Sequence, residues 1–188
     1  MACLQVEPIQ MMNKKIKIGI SACLLGKNVR YNGGNKLEPL IIEILQKTFE
    51  DVEFVPVCPE VEAGFPVPRE PVRLEGLPRS PRMISINTRI DITDRIRDWT
   101  EKQLTELAKE ELHGFILKSR SPSCAMERSD VYTAGDRILP EGIGIFARAF
   151  MEKFPHIPVI DEVNFRDETS RTFFIEALKN RRSEHEDG

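Results

Sequence analysis

The sequence lacks the features that mark a membrane protein or an exported protein. No apolar run is long enough to cross a bilayer, and the first residues do not combine a charged start with an apolar core. The formal net charge of -3 gives no general attraction to nucleic acid phosphates. We therefore expect a cytoplasmic protein that has neither a membrane nor a polymeric nucleic acid as its partner.

The sequence also lacks the cysteine pairs of the common redox and metal motifs. Its four cysteines stand alone, at positions 3, 23, 58 and 124, with no Cys-x-x-Cys pair. This spacing disfavours a thioredoxin-like centre and a structural zinc ribbon, and it does not match the cysteine-rich loops of ferredoxins. In a reducing compartment such thiols are buried, catalytic or metal-bound more often than they are paired in disulfides.

The length of the chain fits one ordinary domain. Its 188 residues, of which 40% are hydrophobic, suffice for a single core. We expect residues 1–13 to form a flexible extension, residues 14–180 to form one domain, and residues 181–188 to form a solvated tail. Cys3, which lies in the extension, therefore carries little weight as a functional residue.

Three short apolar segments each end just before a cysteine. The segments begin near Ile16, Val52 and Gly114, and the cysteines are Cys23, Cys58 and Cys124. Apolar runs of this length are typical of strands that are covered on both faces. If the strands are neighbours in a parallel sheet, their carboxyl ends open on the same edge, where ligands of open α/β sheets bind. We expect the three thiols to converge there.

Helical patterns separate these strands. Apolar residues recur at helical spacing around residues 37–45, 93–112, 145–154 and 173–178. Strands that alternate with helices predict an α/β fold, with a three-layer, mostly parallel, Rossmann-like sheet and the cysteines at its carboxyl edge. Residues 59–81 and 132–144 show no clear period, and we interpret both segments as loops, the first of them an ordered functional loop.

The role of the thiols has more than one interpretation. A single buried cysteine often acts only as a small hydrophobic residue, and a nucleotide-binding α/β protein with cysteines in its core is one alternative. The position of all three at strand ends, beside Ser, Pro or Gly, favours a functional cluster. Three thiolates can hold a cubane iron–sulfur cluster with one open iron, or a zinc ion with one open position. Either centre could act as a Lewis acid or belong to a protein that binds metal without catalysis.

Polar residues near the cysteines are candidates for catalysis and binding. Glu60 follows Cys58 by two residues and could move protons, although a solvated loop carboxylate is an equally ordinary interpretation. Ser121 and Ser123 could position a substrate or a water molecule. Forked guanidinium donors suit an anion such as a phosphate, and the candidates are Arg69, Arg73 and Arg120.

Five motifs in order resemble the domain-of-unknown-function 523 family, the thiouracil desulfidases. They are Ser21–Gly26 with the Val-Arg-Tyr sequence at 29–31, Val57–Val61, Pro68–Pro71, Lys118–Cys124 and Gly142–Arg148. The resemblance implies a [4Fe-4S] cluster held by three cysteines, which match Cys23, Cys58 and Cys124, with the fourth iron free to take a sulfur. It also implies that Glu60 and Ser121 assist the removal of sulfur from thiolated uracil or its nucleotides.

Two of the motifs bear on the substrate and the chemistry. Pro68–Arg73 and Ser119–Pro122 look closer to the branch of the family that acts on thiouridine monophosphate, while Ala125 stands where the family commonly has glycine. The implied reaction is a hydrolysis, in which the soft thiocarbonyl sulfur binds the open iron and water adds to the ring carbon. Such a reaction needs no net redox change. The expected partner is a small thiolated pyrimidine or its nucleotide.

Overall fold

The computed structural model describes residues 15–135 and 137–186, with side chains as far as residue 183. The strands within these ranges are β1 Ile16–Ser21, β2 Val52–Val57, β3 Val72–Leu77, β4 Ser80–Ser85, β5 Gly114–Leu117, β6 Ser129–Tyr132, β7 Ile138–Gly142 and β8 Val159–Asp161. The helices are α1 Pro39–Thr48, α2 Pro59–Glu62, α3 Thr93–Leu107, α4 Ile145–Lys153, α5 Glu162–Arg166 and α6 Glu168–Glu186. None of the described helices is long and apolar enough to cross a membrane.

The first sheet is entirely parallel and has the strand order β2-β1-β5-β8. Strands β1, β2 and β5 are the three apolar segments that the sequence predicts. Of these, β1 and β5 are almost wholly buried. Gly19 in β1 makes room for its neighbour, because a Cβ atom there would lie 2.3 Å from the ring of Phe115 in β5. The predicted α/β fold with a mostly parallel sheet is confirmed, and the carboxyl ends of its strands share one edge.

Helices cover both faces of this sheet, since alternate residues of a strand point to opposite sides. Ile116 packs in a core with residues of α1, α5 and α6. Its neighbours Phe115 and Leu117 pack in a second core with residues of α3 and α4. A cluster of tilted aromatic rings fills that second core, formed by Phe115, Phe146 and Phe150. The three predicted layers are thus helices, sheet and helices.

A second, mixed sheet of order β4-β3-β6-β7 corrects the prediction for two segments. Residues 59–81 contain helix α2 and strand β3, and residues 132–144 contain β7, so describing both as loops was wrong. Two antiparallel hairpins, β3–β4 and β6–β7, pair in parallel through β3 and β6. Only one face of this sheet is buried, through Leu74, Met83 and Val131. Its strands therefore alternate buried and exposed residues, and their pattern is hard to see in the sequence.

The ends of the chain are only partly described. The predicted extension at residues 1–13 lies outside the described residues, together with Cys3. At the other end, α6 continues through Glu186, and Arg181 donates from Nε to the backbone oxygen of Leu112 at 3.0 Å. The first residues of the predicted tail are therefore helical, while the division into one domain remains a prediction.

Candidate active site

Three cysteines from three different strands line one cavity at the carboxyl edge of the first sheet. Cys23 lies in a short 3-10 turn, Ala22–Leu25, directly after β1, and Cys58 lies between β2 and α2. Cys124 lies in the turn that follows β5. All three line a cavity of about 490 Å³, and none of them forms a disulfide. The convergence that the strand ends predict is therefore present.

The loop that carries Cys124 is fixed to the first turn of α4. The backbone N–H of Gly144 donates to Ala125 at 2.8 Å, and the N–H of Phe146 donates to Ser123 at 3.0 Å. A Cβ atom on Gly144 would lie 2.5 Å from the carbonyl group of Ser123, so only glycine allows this approach. The N–H groups at the start of a helix have no partner within the helix. At the start of α4 they bind the cysteine loop instead and hold it in a fixed position.

Burial disfavours the thiolate form of all three cysteines. Burial raises the pKa of Cys23 to about 11 and the pKa of Cys124 to about 12, and it also raises the pKa of Cys58. The positive charge of Lys118 opposes this effect at Cys23. Because metal ligation requires thiolates, a metal centre at this edge has to displace the three protons.

The carboxylate of Glu60 lies in the cavity wall with both oxygens engaged. Arg69 donates to Oε2 from Nε at 2.7 Å and from Nη2 at 2.6 Å, while Ser123 donates from Oγ to Oε1 at 2.9 Å. The side chains of Arg69 and Glu60 are only 8% and 12% exposed. Arg69 also donates from Nη1 to the backbone oxygen of Val29 at 3.0 Å. The structure thus places Arg69, predicted to bind substrate, on Glu60.

The two predicted serines lie side by side next to Cys124. Oγ of Ser121 accepts the backbone N–H groups of Ser123 at 3.3 Å and of Cys124 at 3.2 Å. The hydroxyl oxygens of Ser121 and Ser123 are 3.1 Å apart. Ser121 is partly open to the cavity, whereas Ser123 is buried. The structure therefore connects the predicted glutamate and both predicted serines in one hydrogen-bond chain.

The remaining predicted arginines differ in their contacts. Arg73 donates from Nε to Glu75 at 2.6 Å, and its guanidinium lies 4.2 Å from the ring centre of Tyr132. Arg120 is exposed at the cavity wall and makes no ion pair with any described residue. Arg30 also lines the cavity without an ion pair in the described part of the chain. The sequence prediction missed Arg30, although it lies in the Val-Arg-Tyr motif after Cys23.

A buried ion pair that the sequence prediction also missed supports the loop after β5. Lys118 donates from Nζ to Glu162, and the backbone N–H of Ser119 donates to the same carboxylate at 2.7 Å. Burial acts to raise the pKa of Glu162 and is the largest single effect, but the hydrogen bonds from Lys118 and Ser119 and the charge of Lys118 together lower it. The signal in the sequence was an acidic residue directly after strand β8.

The three thiols form a donor set that an iron–sulfur cluster can use. In a cubane cluster each thiolate binds a different iron, so the ligands stand apart around it. Three separate thiols around one cavity fit that demand. Among the described residues, no group of three or more His, Cys, Asp or Glu side chains is placed to hold a single metal ion.

Comparison with known proteins places this chain in a family of sulfur-removing enzymes. Residues 18–162 match the 2-thiouracil desulfurase family, and the chain belongs to that family. This confirms the resemblance carried by the five motifs, and it supports a desulfidase that acts on a small thiolated pyrimidine.

Two individual proteins are similar to this chain. The uncharacterized protein YbbK of Bacillus subtilis is 30% identical over 111 residues, which are 56% of this chain and 70% of YbbK. The solved structure of the [4Fe-4S]-dependent thiouracil desulfidase TudS is 26% identical, with a TM-score of 0.60. That likeness covers 81% of this chain and 95% of the TudS chain, so the two share the α/β fold over most of their length.

Proposed function

We propose that this chain is an iron–sulfur enzyme that removes sulfur from thiolated uracil, as the free base or as its nucleotide, by hydrolysis. The observation that carries the proposal is the cavity in which three unpaired thiols face a chain of Glu60 and two serines. The 2-thiouracil desulfurase family and the [4Fe-4S] dependence of TudS support the same conclusion. We also propose a cytoplasmic location, because a reducing compartment keeps the three cysteines available as ligands.

The [4Fe-4S] cluster would be held by Cys23, Cys58 and Cys124 as thiolates. When bound, it supplies an iron without a protein ligand, which is a thiophilic Lewis acid for a thiocarbonyl sulfur. The protein's part is to fix the three thiolates on separate strand ends and to place positive charge near them. Lys118 serves the second purpose, because its ammonium group favours the charged form of Cys23.

Glu60 and Ser121 are the groups we propose for the addition of water. Water that adds to the ring carbon must lose a proton, and a positioned carboxylate can accept one. Glu60 and Asp130 are the described carboxylates that line the cavity, and Glu60 is the one hydrogen-bonded to the Cys124 loop. The partly open hydroxyl of Ser121 can orient the water or the base. Electrons need not be exchanged in this reaction.

The cavity supports a nucleotide as well as a free base. Its volume of about 490 Å³ lies within the range of small-molecule sites. Arg120 and Arg30 line it without an acidic partner in the described chain, and forked guanidinium groups bind phosphate well. Arg69 and Arg73, in contrast, are engaged by Glu60 and Glu75. We therefore assign a substrate phosphate to Arg120, with Arg30 as the second candidate in the cavity wall.

The test is a product assay on protein that has been reconstituted with iron and sulfide without oxygen. Incubation with 2-thiouracil and with thiouridine monophosphate should yield uracil or uridine monophosphate together with sulfide. A protein that assembles the cluster but leaves both substrates unchanged would contradict the proposal and favour a cluster carrier. A protein that stays colourless would favour the interpretation of the cysteines as core residues.

A further inference from the structure

The hydroxyl of Ser123 lies between the two groups assigned to the chemical step. Its Oγ is 2.9 Å from Oε1 of Glu60 and 3.1 Å from Oγ of Ser121. The sequence predicts that Ser123 positions a substrate or a water molecule; the residue lines the cavity but is only 2% exposed, so it offers little surface to a substrate. Its position instead suits a link between its two neighbours.

The direction of these hydrogen bonds follows from the donors available. An ionised carboxylate only accepts, so the proton between Ser123 and Glu60 belongs to Ser123. Because a hydroxyl has one proton, the bond between the serines must use the proton of Ser121. Oγ of Ser121 also accepts two backbone N–H groups, at 3.3 Å and 3.2 Å, which would stabilise negative charge on it. The sulfur of Cys124 lies 3.8 Å from Oγ of Ser123, which is a weaker contact.

Both oxygens of Glu60 accept hydrogen bonds from other side chains of the protein. Arg69 occupies Oε2 with two donors, and Ser123 occupies Oε1. Proton transfer is efficient only over hydrogen-bond distance, and one hydroxyl oxygen of the described protein lies at that distance from Oε1, 2.9 Å away. That atom is Oγ of Ser123.

We propose that Ser123 is a proton relay that connects Ser121 to Glu60. The inference rests on the proposed function and adds a route to it. As water adds to the ring carbon, one of its O–H bonds breaks and Ser121 takes that proton. Ser121 passes its own proton to Ser123, and Ser123 passes its proton to Oε1 of Glu60. Both serines end as hydroxyls, Glu60 gains one proton, and no electron is transferred.

The relay predicts that Ser123 and Glu60 fail as a unit. Ser123→Ala should lower kcat by on the order of 10²–10⁴-fold, as Glu60→Gln does, with little change in KM. The double variant should be no slower than the slower single variant, since groups that act in series are not additive. Ser123→Thr keeps a hydroxyl and should recover at least tenfold of the loss. Ser85→Ala, another buried serine but outside the cavity, is the matched control.

Two further measurements separate a relay from a merely structural serine. The rate of the parent in mixtures of light and heavy water should show more than one proton in flight, and Ser123→Ala should show fewer. In protein without the cluster, isotope-edited infrared spectra should show a carboxylate band that shifts in Ser123→Ala and stays in Ser85→Ala. A shift supports the hydrogen bond to Glu60, and an unchanged band overturns it.

The outcomes distinguish this inference from the proposed function. If the parent releases sulfide and Ser123→Ala stays within about threefold of it, the relay is wrong while the function stands. Multiplied losses in the double variant would also overturn the relay, because they mean independent roles. If the parent desulfurates no thiolated pyrimidine, the proposed function fails, and the infrared band alone decides whether Ser123 bonds Glu60.

Discussion

The two sheets of this protein meet at one cavity but are built on different principles. The first sheet is parallel, carries helices on both faces and ends in the three cysteines. The second sheet consists of two hairpins with one buried face, and it lines the cavity with polar and aromatic side chains such as Arg73 and Tyr132. Buried strands fix ligand positions rigidly, whereas a half-exposed sheet presents charge to a solute.

The difference suggests a division of labour. The strand ends of the first sheet place the proposed cluster ligands and the Ser121–Cys124 loop. Arg69, just before β3, reaches back to hold Glu60, so the second sheet also bears on the chemistry. The predictions below test this division, from the largest expected effect to the smallest.

Loss of a cysteine on the first sheet should have the largest effect. Cys124→Ala removes one of three proposed ligands on a rigid loop, so we expect loss of the cluster and no measurable turnover. Iron and sulfide content after anaerobic reconstitution, together with sulfide release, checks this. Cys3→Ser is the control, because the sequence places that cysteine apart from the site. An active, fully loaded Cys124→Ala protein would remove Cys124 from the ligand set.

Replacement of Glu60 should spare the cluster and slow the reaction. Glu60→Gln keeps the size of the side chain but removes the proton-accepting group, which is worth on the order of 10²–10⁴-fold in rate. The absorption spectrum of the cluster and the binding of substrate should be unchanged. A rate within about threefold of the parent would leave Ser121 as the next candidate for the proton acceptor.

Arg120 and Arg69 should respond differently to the substrate. Arg120→Ala should lower kcat/KM for thiouridine monophosphate by the equivalent of about 1.5–3 kcal/mol, the range for a hydrogen bond to a charged group. The kcat/KM for the free base should be unchanged. Arg69→Ala should lower kcat/KM for both substrates equally, because it removes the ion pair that holds the carboxylate of Glu60 in place. Comparing kcat/KM for the two substrates in both variants checks this. Equal losses in Arg120→Ala would mean that Arg120 is structural.

The smallest effect concerns the stability of the second sheet in acid. A hydrogen bond from Arg89, aided by Arg73, lowers the pKa of Glu75 from 4.5 to about 2. A carboxyl with a depressed pKa in the folded state contributes stability above its unfolded pKa and loses it as the pH falls towards 2. The free energy of unfolding, measured with urea, should therefore decline as the pH falls from 4.5 towards about 2. Glu75→Gln should make this decline smaller. Glu176→Gln on α6 should leave the decline unchanged.

The two sheets also differ in how well the sequence predicts them. The runs before Cys23, Cys58 and Cys124 predict both the first sheet and the cavity edge, since strands buried on both faces are uniformly apolar. Strand β3 was missed because its alternation of apolar and polar residues around Leu74 is short and is flanked by prolines, arginines and glycines. Period-2 patterns of this length are weak unless the partner strand is known.

The same contrast holds for the candidate site. The positions of Glu60 and Ser121 near Cys58 and Cys124 could be predicted, because residues close in sequence to a strand end share its edge. The contact of Arg69 with Glu60 could not, because it depends on how the intervening loop folds back and on side-chain reach. The contact of Glu162 with Lys118 could not, because it joins segments distant in the chain. Sequence spacing therefore predicts which residues gather, while the pairing among them comes from the structure.

The most direct test of the account is the Mössbauer spectrum of the protein after anaerobic reconstitution with iron-57 and sulfide. We predict the signature of a [4Fe-4S] cluster in which one iron, without a protein ligand, is distinguishable and changes its parameters when 2-thiouracil is added. The change should also occur in Glu60→Gln, which keeps the three cysteines. A protein that binds no cluster, or a cluster with four equivalent irons that ignores the thiobase, would contradict the account.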